Sequence, residues 1–222
     1  MEKMIQAAWE TSENIPAIKK AEIAYVGRYY GYANSTQLPT KCLSKAEATA
    51  LSNAGFKIVV IFQKCQKSSA CFSGLEGEIA GKQALHRATQ VGQPLGSAIY
   101  FAVDFNATEY DVRGAIKDYF VSVNRELGSK YQVGVYGSGL VCSYLYNAGL
   151  CTHRWVSEKM DFSGTREAIK KGHYEIRKLP TYMTEYLYSV KSNKVGSLEV
   201  DYAELGRSTD IGEFDVSSVL EK

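Results

Sequence analysis

The sequence predicts an α/β protein folded as a closed (β/α)8, TIM-type barrel in which the last helices are reduced. Short β-rich runs alternate with helical patterns along the 222 residues, and such alternation indicates a parallel sheet. Eight runs have the character of strands and six of them precede a helix-like run, which favours closure into a barrel in a chain of this size. No linker, low-complexity tract or tandem repeat divides the chain. We therefore expect a single domain over residues 1–222.

The strand-like runs are rich in β-branched and aromatic residues. In chain order they are MIQAAW, IAYVGRYY, KIVVIFQ, SAIYFAVDF, YQVGVYGS, HRWVSE, YEIRKLP and SLEVDYAEL. The helix-like runs are IPAIKKAE, LSKAEATALSNAG, GLEGEIAGKQALHRATQVG, EYDVRGAIKDYFVSVNRELG, SGLVCSYLYNAGL and GTREAIKKG. Little helical pattern separates the last two strands.

Local signals support the helix starts. Ser44 with Glu47, and Thr108 with Asp111, have the spacing of capping boxes. The helix after Thr108 carries apolar residues at steps of three and four, which is amphipathic spacing. An open, doubly wound sheet is the alternative fold. It would normally show a glycine-rich phosphate turn after its first strand, and AAWETSEN has none.

Composition excludes several classes of function. The formal net charge is +2, so nothing indicates nucleic acid or a membrane surface as a partner. No apolar run has the length of a membrane span, and MEKMIQAAWETSEN lacks the apolar core of a secretory signal. The protein is therefore expected in the cytosol, or as a mature form, or exported by a route that the sequence does not show. A monomer is the default expectation.

The five cysteines leave two interpretations open. Cys65 with Cys71, and Cys142 with Cys151, could each close a small loop. No CxxC pair and no zinc-like spacing is present, so we expect neither a metal nor a cofactor. A chain of this size needs no covalent staples, which favours free thiols over a disulfide framework.

Polar residues collect where the predicted strands end. In a barrel, the carboxyl ends of the strands carry the functional loops. Reading each strand to its end gives Glu10, Arg28, Gln63, Asp104 with Asn106, Tyr136, Glu158 and Asp201.

Strand alternation indicates which of these side chains face inward. Because successive residues point to opposite faces, Asp104 and Asn106 share the face of Tyr100, whereas Phe101 and its alternates face the helices. The same rule turns Tyr136 and Asp201 inward on their own strands. Three separate strands thus place polar groups on one inner rim, and we predict a site there.

A rim of carboxylates supports a narrow chemistry. Glycosidic cleavage needs one acid to protonate the leaving oxygen and a second group to stabilise or attack the oxocarbenium centre. A carboxyl crowded by another carboxylate has its pKa raised toward the useful range. Trp155 could stack on a sugar face. Structural alternatives remain: Arg28 could pair with a rim acid, Trp155 could belong to the core, and Glu10 or Glu158 could be solvated.

Several segments resemble a known family. AWETSEN, VGRYYG, KCLSKAEATALSNAGFKIVVIFQ, GQPLGSAIYFAVDFNAT and YQVGVYGSG are similar to the glycoside hydrolase-like TIM-barrel domains related to family 25 glycoside hydrolases, the muramidase-type lysozymes. The resemblance implies a barrel with its site at the strand ends and peptidoglycan or a related glycan as ligand. It matches Glu10 to a position usually held by aspartate, Asp104 to the first acid of an Asp-x-acid motif, and Asp201 to an acid on the last strand. The second acid of that motif, the proton donor of the muramidases, falls on Asn106.

The leading hypothesis is a glycosidase acting on peptidoglycan or a chitin-like amino-sugar glycan, with Asp104, Glu10 and Asp201 as catalytic residues. The residues expected to contact sugar are Arg28, Gln63, Asn106, Tyr136, Trp155 and Glu158. The alternative is a non-catalytic glycan-binding module, which the amide at Asn106 favours. A carboxylate–metal phosphodiesterase on the same barrel is the third interpretation.

Overall fold

A computed structural model describes residues 2–31, 33–188, 193–208 and 210–216. Eight strands close a barrel in the order β1-β10-β7-β6-β5-β4-β3-β2, and β8 and β9 form a separate two-stranded hairpin. This confirms the predicted α/β barrel. The strands are β1 (Lys3–Gln6), β2 (Ile23–Tyr30), β3 (Lys57–Phe62), β4 (Ala98–Ala102), β5 (Gln132–Gly137), β6 (His153–Val156), β7 (Ile176–Lys178), β8 (Lys194–Val195), β9 (Leu198–Glu199) and β10 (Asp201–Leu205).

Helices follow most of the barrel strands. They are α1 (Ile15–Lys20), α2 (Lys45–Asn53), α3 (Gly74–Val91), α4 (Glu109–Asp111), α5 (Lys117–Leu127), α6 (Gly139–Asn147), α7 (Thr165–Lys171) and α8 (Thr181–Tyr188). A π-helical segment, Val112–Ile116, joins α4 to α5. The predicted capping box at Thr108 and Asp111 is present with both reciprocal hydrogen bonds. Ser44 caps α2 by accepting from the Glu47 amide, but the Glu47 side chain turns away into the protein.

The last barrel strand runs opposite to the others. β10 is antiparallel to both neighbours, with Gln6 of β1 opposite Asp201 and Lys178 of β7 opposite Ala203. Asp201 therefore begins its strand, and the expectation that it lies at a carboxyl end is wrong. The reversal still brings Asp201 to the predicted rim, because the start of an antiparallel strand meets the ends of its parallel neighbours.

Strand alternation divides the core into two layers, as expected. Phe101 and its alternates pack outward against the helices, whereas Tyr100 and Ala102 belong to the cluster inside the barrel. Tyr100 fills the lower part of that interior. A Cβ at position 134 would lie 2.6 Å from the Tyr100 ring. The ring therefore fits beside the neighbouring strand because residue 134 is glycine. The Tyr100 hydroxyl donates to the carbonyl oxygen of Ile211, 2.8 Å away, at the floor.

The cysteines differ from expectation at one pair. Cys65 and Cys71 form a disulfide, so the preference for free thiols is wrong there. The two cysteines are six residues apart in one loop, so their side chains lie close together. Chain size determines whether a domain needs disulfides for its stability, but it does not prevent such a local pair from forming. Cys142 and Cys151 are free and buried, and burial raises the pKa of both thiols, to about 12 for Cys151. Within the described ranges, no helix combines the length and apolarity required to cross a bilayer.

Candidate functional site

Two tyrosines and three carboxylates meet at the end of the barrel where the parallel strands finish. We call Tyr29, Asp104, Tyr136, Glu158 and Asp201 the rim bowl. Burial, followed by the negative charge of Asp201, raises the pKa of Tyr29, and Asp104 and Glu158 act in the same direction. Burial and Glu158, with a further effect of Asp104, raise the pKa of Tyr136 well above its usual value. Asp104 and Glu158 therefore act on both phenols and Asp201 on Tyr29, and the three acids come from three different strands or the loops after them.

Asp104 follows β4 and has one cationic partner among the described residues. The ammonium of Lys159 donates to its Oδ1 over 3.1 Å. Two-fifths of the Lys159 side chain is exposed, and its ammonium also lies 4.7 Å from the ring centroid of Phe162. An ion pair with such an exposed lysine is weak, because water screens it. A ligand can therefore compete with Lys159 for this carboxylate.

Lys178 bridges the other two acids of the rim bowl. Its ammonium donates to Oε1 of Glu158 over 3.3 Å and to Oδ2 of Asp201 over 3.1 Å. Burial alone would lower the pKa of Lys178, but the two carboxylates outweigh it and the pKa is raised. The hydroxyl of Tyr136 donates to Oε2 of Glu158 over 3.4 Å, and that of Ser157 does so over 3.2 Å. Glu158 and Asp201 are thus held together as a pair of hydrogen-bond acceptors.

A groove extends from Asp201 along the loop after β1. A cavity of about 370 Å³ is lined by Tyr29 and Asp201, and a second, of about 410 Å³, by Glu10 and Asn14. Trp9 and Glu199 line both cavities, so the two are adjacent. The side chain of Trp9 is 38% exposed. Its indole is the aromatic surface at this groove, a feature that the sequence argument had assigned to Trp155.

Glu10 is not brought to the other two predicted catalytic acids. Its carboxylate accepts from the amide and the hydroxyl of Ser12, and its own amide donates to Thr40 Oγ1 over 3.1 Å. These local bonds turn Glu10 toward the cavity beyond Trp9. Asp104 and Asp201 do share the rim bowl.

Arg28 lies behind the site and does not line it. Its side chain is fully buried, and its Nε donates to Glu47 Oε1 over 2.7 Å. It also donates to the carbonyl oxygens of Ala7, over 2.5 Å, and Thr40, over 2.7 Å. Arg28 is thus paired structurally, but its partner is Glu47 on α2 and not a rim acid as the structural alternative expected. Arg28 supports the loops after β1 and β2 from inside.

Of the other residues predicted to contact sugar, some lie at the rim and others do not. Trp155 is fully buried inside the barrel, edge-to-face with Tyr100 and Tyr136, so its indole is not available to stack on a sugar. Asn106 accepts from the amide and hydroxyl of Ser163, over 2.8 and 2.9 Å, and thereby fixes the loop after β6. Gln63 is at the rim, where its Oε1 accepts from the ammonium of Lys41. Tyr136 and Glu158 belong to the rim bowl.

Sequence reasoning missed the lysines of the site. Lys178 could have been found by alternation, because it is two residues after Ile176, which points into the barrel. Lys159 directly follows a predicted rim residue. No periodic signal marks Lys41, which lies in a loop. Among residues 2–31, 33–188, 193–208 and 210–216, no three His, Cys, Asp or Glu side chains converge as metal ligands.

A closed α/β barrel with acids gathered at one rim defines a glycoside hydrolase-like protein. The chain belongs to the Rv2525c-like, glycoside hydrolase-like domain family, whose model matches residues 16–195.

Three relatives illustrate the similarity. The uncharacterized protein YbfG of Bacillus subtilis is 31% identical over 165 residues, which are 69% of this chain and 22% of YbfG. This chain spans about a quarter of the length of the curated relatives it matches. The Tat-secreted protein Rv2525c of Mycobacterium tuberculosis, solved with L-tartrate, has a TM-score of 0.80 at 20% identity, over 96% of this chain and 98% of that chain. The autolysin LytC of Streptococcus pneumoniae, solved with a synthetic peptidoglycan ligand, has a TM-score of 0.53 at 15% identity, over 91% of this chain and 46% of LytC.

Proposed function

We propose that this domain hydrolyses a β-linked amino-sugar glycan, of the peptidoglycan or chitin type, in the rim bowl. The observation that carries the proposal is the gathering of three acids at one rim: Lys178 joins Glu158 to Asp201, and Lys159, the residue after Glu158, donates to Asp104. A partly dry bowl with several acids can protonate a glycosidic oxygen and stabilise the positive charge that develops at the anomeric carbon. Fold similarity to an autolysin solved with a peptidoglycan ligand supports this class of glycan, while the roles below depend on the residues themselves.

Asp104 is the acid in this scheme, because its cationic partner among the described residues is the exposed Lys159, which a bound sugar displaces so that the carboxyl group can hold a proton. Its proton passes to the glycosidic oxygen as the bond from that oxygen to the anomeric carbon breaks. The acetamido oxygen of the substrate attacks the anomeric carbon and forms a cyclic oxazolinium ion. Water then opens that ring, and Asp104 takes up a proton from the water.

Glu158 and Asp201 stabilise the cationic transition state. Together they carry two negative charges against the single positive charge of Lys178, so the pair retains a net negative charge beside the bowl. Tyr136 orients Glu158 through its hydroxyl. Trp9 provides an apolar platform for a sugar further along the groove.

The test measures the release of reducing ends from purified cell walls and from chitooligosaccharides. Asp104→Asn is expected to lower kcat by roughly 10²–10⁴, the usual contribution of a positioned acid. Asp118→Asn is the matched control, because Asp118 is exposed on α5 and is expected to leave the rate unchanged. Equal rates for the wild type and Asp104→Asn, or no release by the wild type from several walls, contradict the proposal.

A second candidate is glycan binding without turnover, and the observation that favours it is Asn106. This amide stands where the resemblance places the proton donor of the muramidases, and its oxygen is already bonded to Ser163. This function predicts saturable binding of muropeptides or chitooligosaccharides with no product. Turnover that appears only in Asn106→Glu would support it over hydrolysis by the native chain.

A further inference from the structure

Lys41 differs from the other lysines of the site in having no acidic partner among the described residues. Its ammonium lies 4.4 Å from the ring centroid of Tyr29 and donates to Oε1 of Gln63. Lys159 and Lys178, by contrast, each donate to a carboxylate of the rim bowl. The Lys41 side chain is partly buried at the edge of the bowl. A positive charge thus remains unpaired beside the ring that lines the glycan groove.

The surroundings of Lys41 favour an incoming anion. Burial lowers the pKa of Lys41 against an opposing effect of Cys42, and the positive charges of Lys67 and Arg28 act in the same direction as burial. A partly desolvated ammonium without a counterion is unfavourable, and a carboxylate that pairs with it relieves that cost. Gln63 uses its amide oxygen to accept from Lys41, which leaves its Nε2 hydrogens as additional donors.

The charge of the rim bowl is asymmetric. The ammonium of Lys41 lies over the ring of Tyr29, and the carboxylate of Asp201 lines the same cavity as that ring. A ligand carboxylate would be repelled by Asp104, Glu158 and Asp201 and attracted by Lys41. A charged sugar can therefore enter the bowl in only one favourable orientation.

We propose that Lys41 and Gln63 bind a carboxylate carried by the glycan, so that the preferred substrate contains an acidic sugar with a free carboxyl group. This inference depends on the proposed glycan-binding function and narrows it. Two sugar types supply such a group: muramic acid with an unsubstituted lactyl group, and a hexuronic acid. In intact peptidoglycan the lactyl carboxyl is amide-linked to a peptide. The inference therefore places this domain after a reaction that hydrolyses that amide bond, or on a uronic acid glycan.

The experiment compares dissociation constants for four tetrasaccharides by isothermal titration calorimetry. They are peptide-free alternating N-acetylglucosamine and N-acetylmuramic acid, the same glycan with its lactyl carboxyls converted to amides, chitotetraose, and a tetrasaccharide containing glucuronic acid. Wild type is expected to bind at least one free-carboxyl glycan about tenfold or more tighter than the uncharged glycans. Whichever acidic glycan binds more tightly identifies the source of the carboxylate.

Variants assign the preference to Lys41. Lys41→Gln is expected to remove the preference for free-carboxyl over amide-capped glycans, and Lys41→Arg to retain most of it. Lys130→Gln is the control, because Lys130 is exposed before β5, at the opposite end of the barrel. Thermal unfolding of each variant verifies that it folds.

The pH dependence provides an independent readout. Because the pKa of Lys41 is lowered, the preference for free-carboxyl glycans is expected to decline at a lower alkaline pH than it would with an ordinary lysine. In that pH range, binding of the carboxylate is expected to be accompanied by proton uptake.

Two outcomes overturn the inference in distinguishable ways. Equal affinity for free-carboxyl and amide-capped glycans, with chitotetraose still bound, overturns the role of Lys41 and leaves the proposed function standing. The same conclusion follows if Lys41→Gln keeps the wild-type preference. Failure of the wild type to bind any of the four glycans overturns the proposed function together with the inference.

Discussion

The buried ion pair between Arg28 and Glu47 provides a sharp test of what holds the rim loops in place. Both side chains are almost completely excluded from water. Glu47 accepts two bonds from Arg28, over 2.7 and 3.1 Å, and two more from the amide and hydroxyl of Thr11. Glu47→Gln removes the negative charge with little change in shape, so Arg28 is left as a buried cation without its counterion.

The expected loss of unfolding free energy is large for a substitution that replaces a single atom. Removing one partner of a buried ion pair costs about 3–5 kcal/mol, because the other charge stays desolvated. For a chain of this length, each kcal/mol corresponds to roughly 2–4 °C in Tm, which gives a decrease of about 6–20 °C. The carbonyl oxygens of Ala7 and Thr40 also depend on Arg28, so the loops that carry Trp9 and Lys41 should loosen.

Urea unfolding monitored by tryptophan fluorescence and by circular dichroism measures the change. Glu109→Gln is the matched control, since Glu109 pairs with Arg113 on the surface of one helix, where such a pair contributes about 0.3–0.5 kcal/mol. A loss below about 1 kcal/mol in Glu47→Gln, or one equal to that of the control, would refute the assignment of Arg28 as a buried support.

Two further predictions concern the tryptophans and the thiols. Trp9→Ala should weaken glycan affinity by about 1 kcal/mol or more with an unchanged Tm, whereas Trp155→Ala should cost about 3–5 kcal/mol of stability. Calorimetry measures the affinity and thermal unfolding the stability, and a loss of stability in Trp9→Ala would contradict the placement of Trp9 at the groove. At pH 8 a disulfide-exchange reagent should react with Cys42 first, and with Cys142 and Cys151 only after unfolding. Burial raises the pKa of both buried thiols and lowers the thiolate fraction of Cys151 by about 10³ relative to an ordinary cysteine. Equal rates for all three thiols in the folded protein would contradict the burial of Cys142 and Cys151.

Patterns of hydrophobicity predicted the barrel because they report burial directly. The alternation around Asp104 placed that carboxylate correctly, since a two-residue period determines the face of a strand. The same period carries no information on strand direction, and so the reversal of β10 was missed. Trp155 was expected either to stack on a sugar or to belong to the core, and it lies in the filled interior of the barrel, which is as dry as the layer under the helices. The orientation of Glu10 could not be predicted, because it depends on local bonds to Ser12, which no periodicity encodes.

The reversed last strand has a consequence for synthesis on the ribosome. Until residues 201–205 emerge, β1 and β7 each expose an unpaired edge, and open edges invite pairing with other chains. The segment around Ile211, which covers the ring of Tyr100, follows later still. The nascent domain must therefore remain open until almost its entire length has been translated. Truncation before Asp201 should yield insoluble material instead of a smaller folded unit.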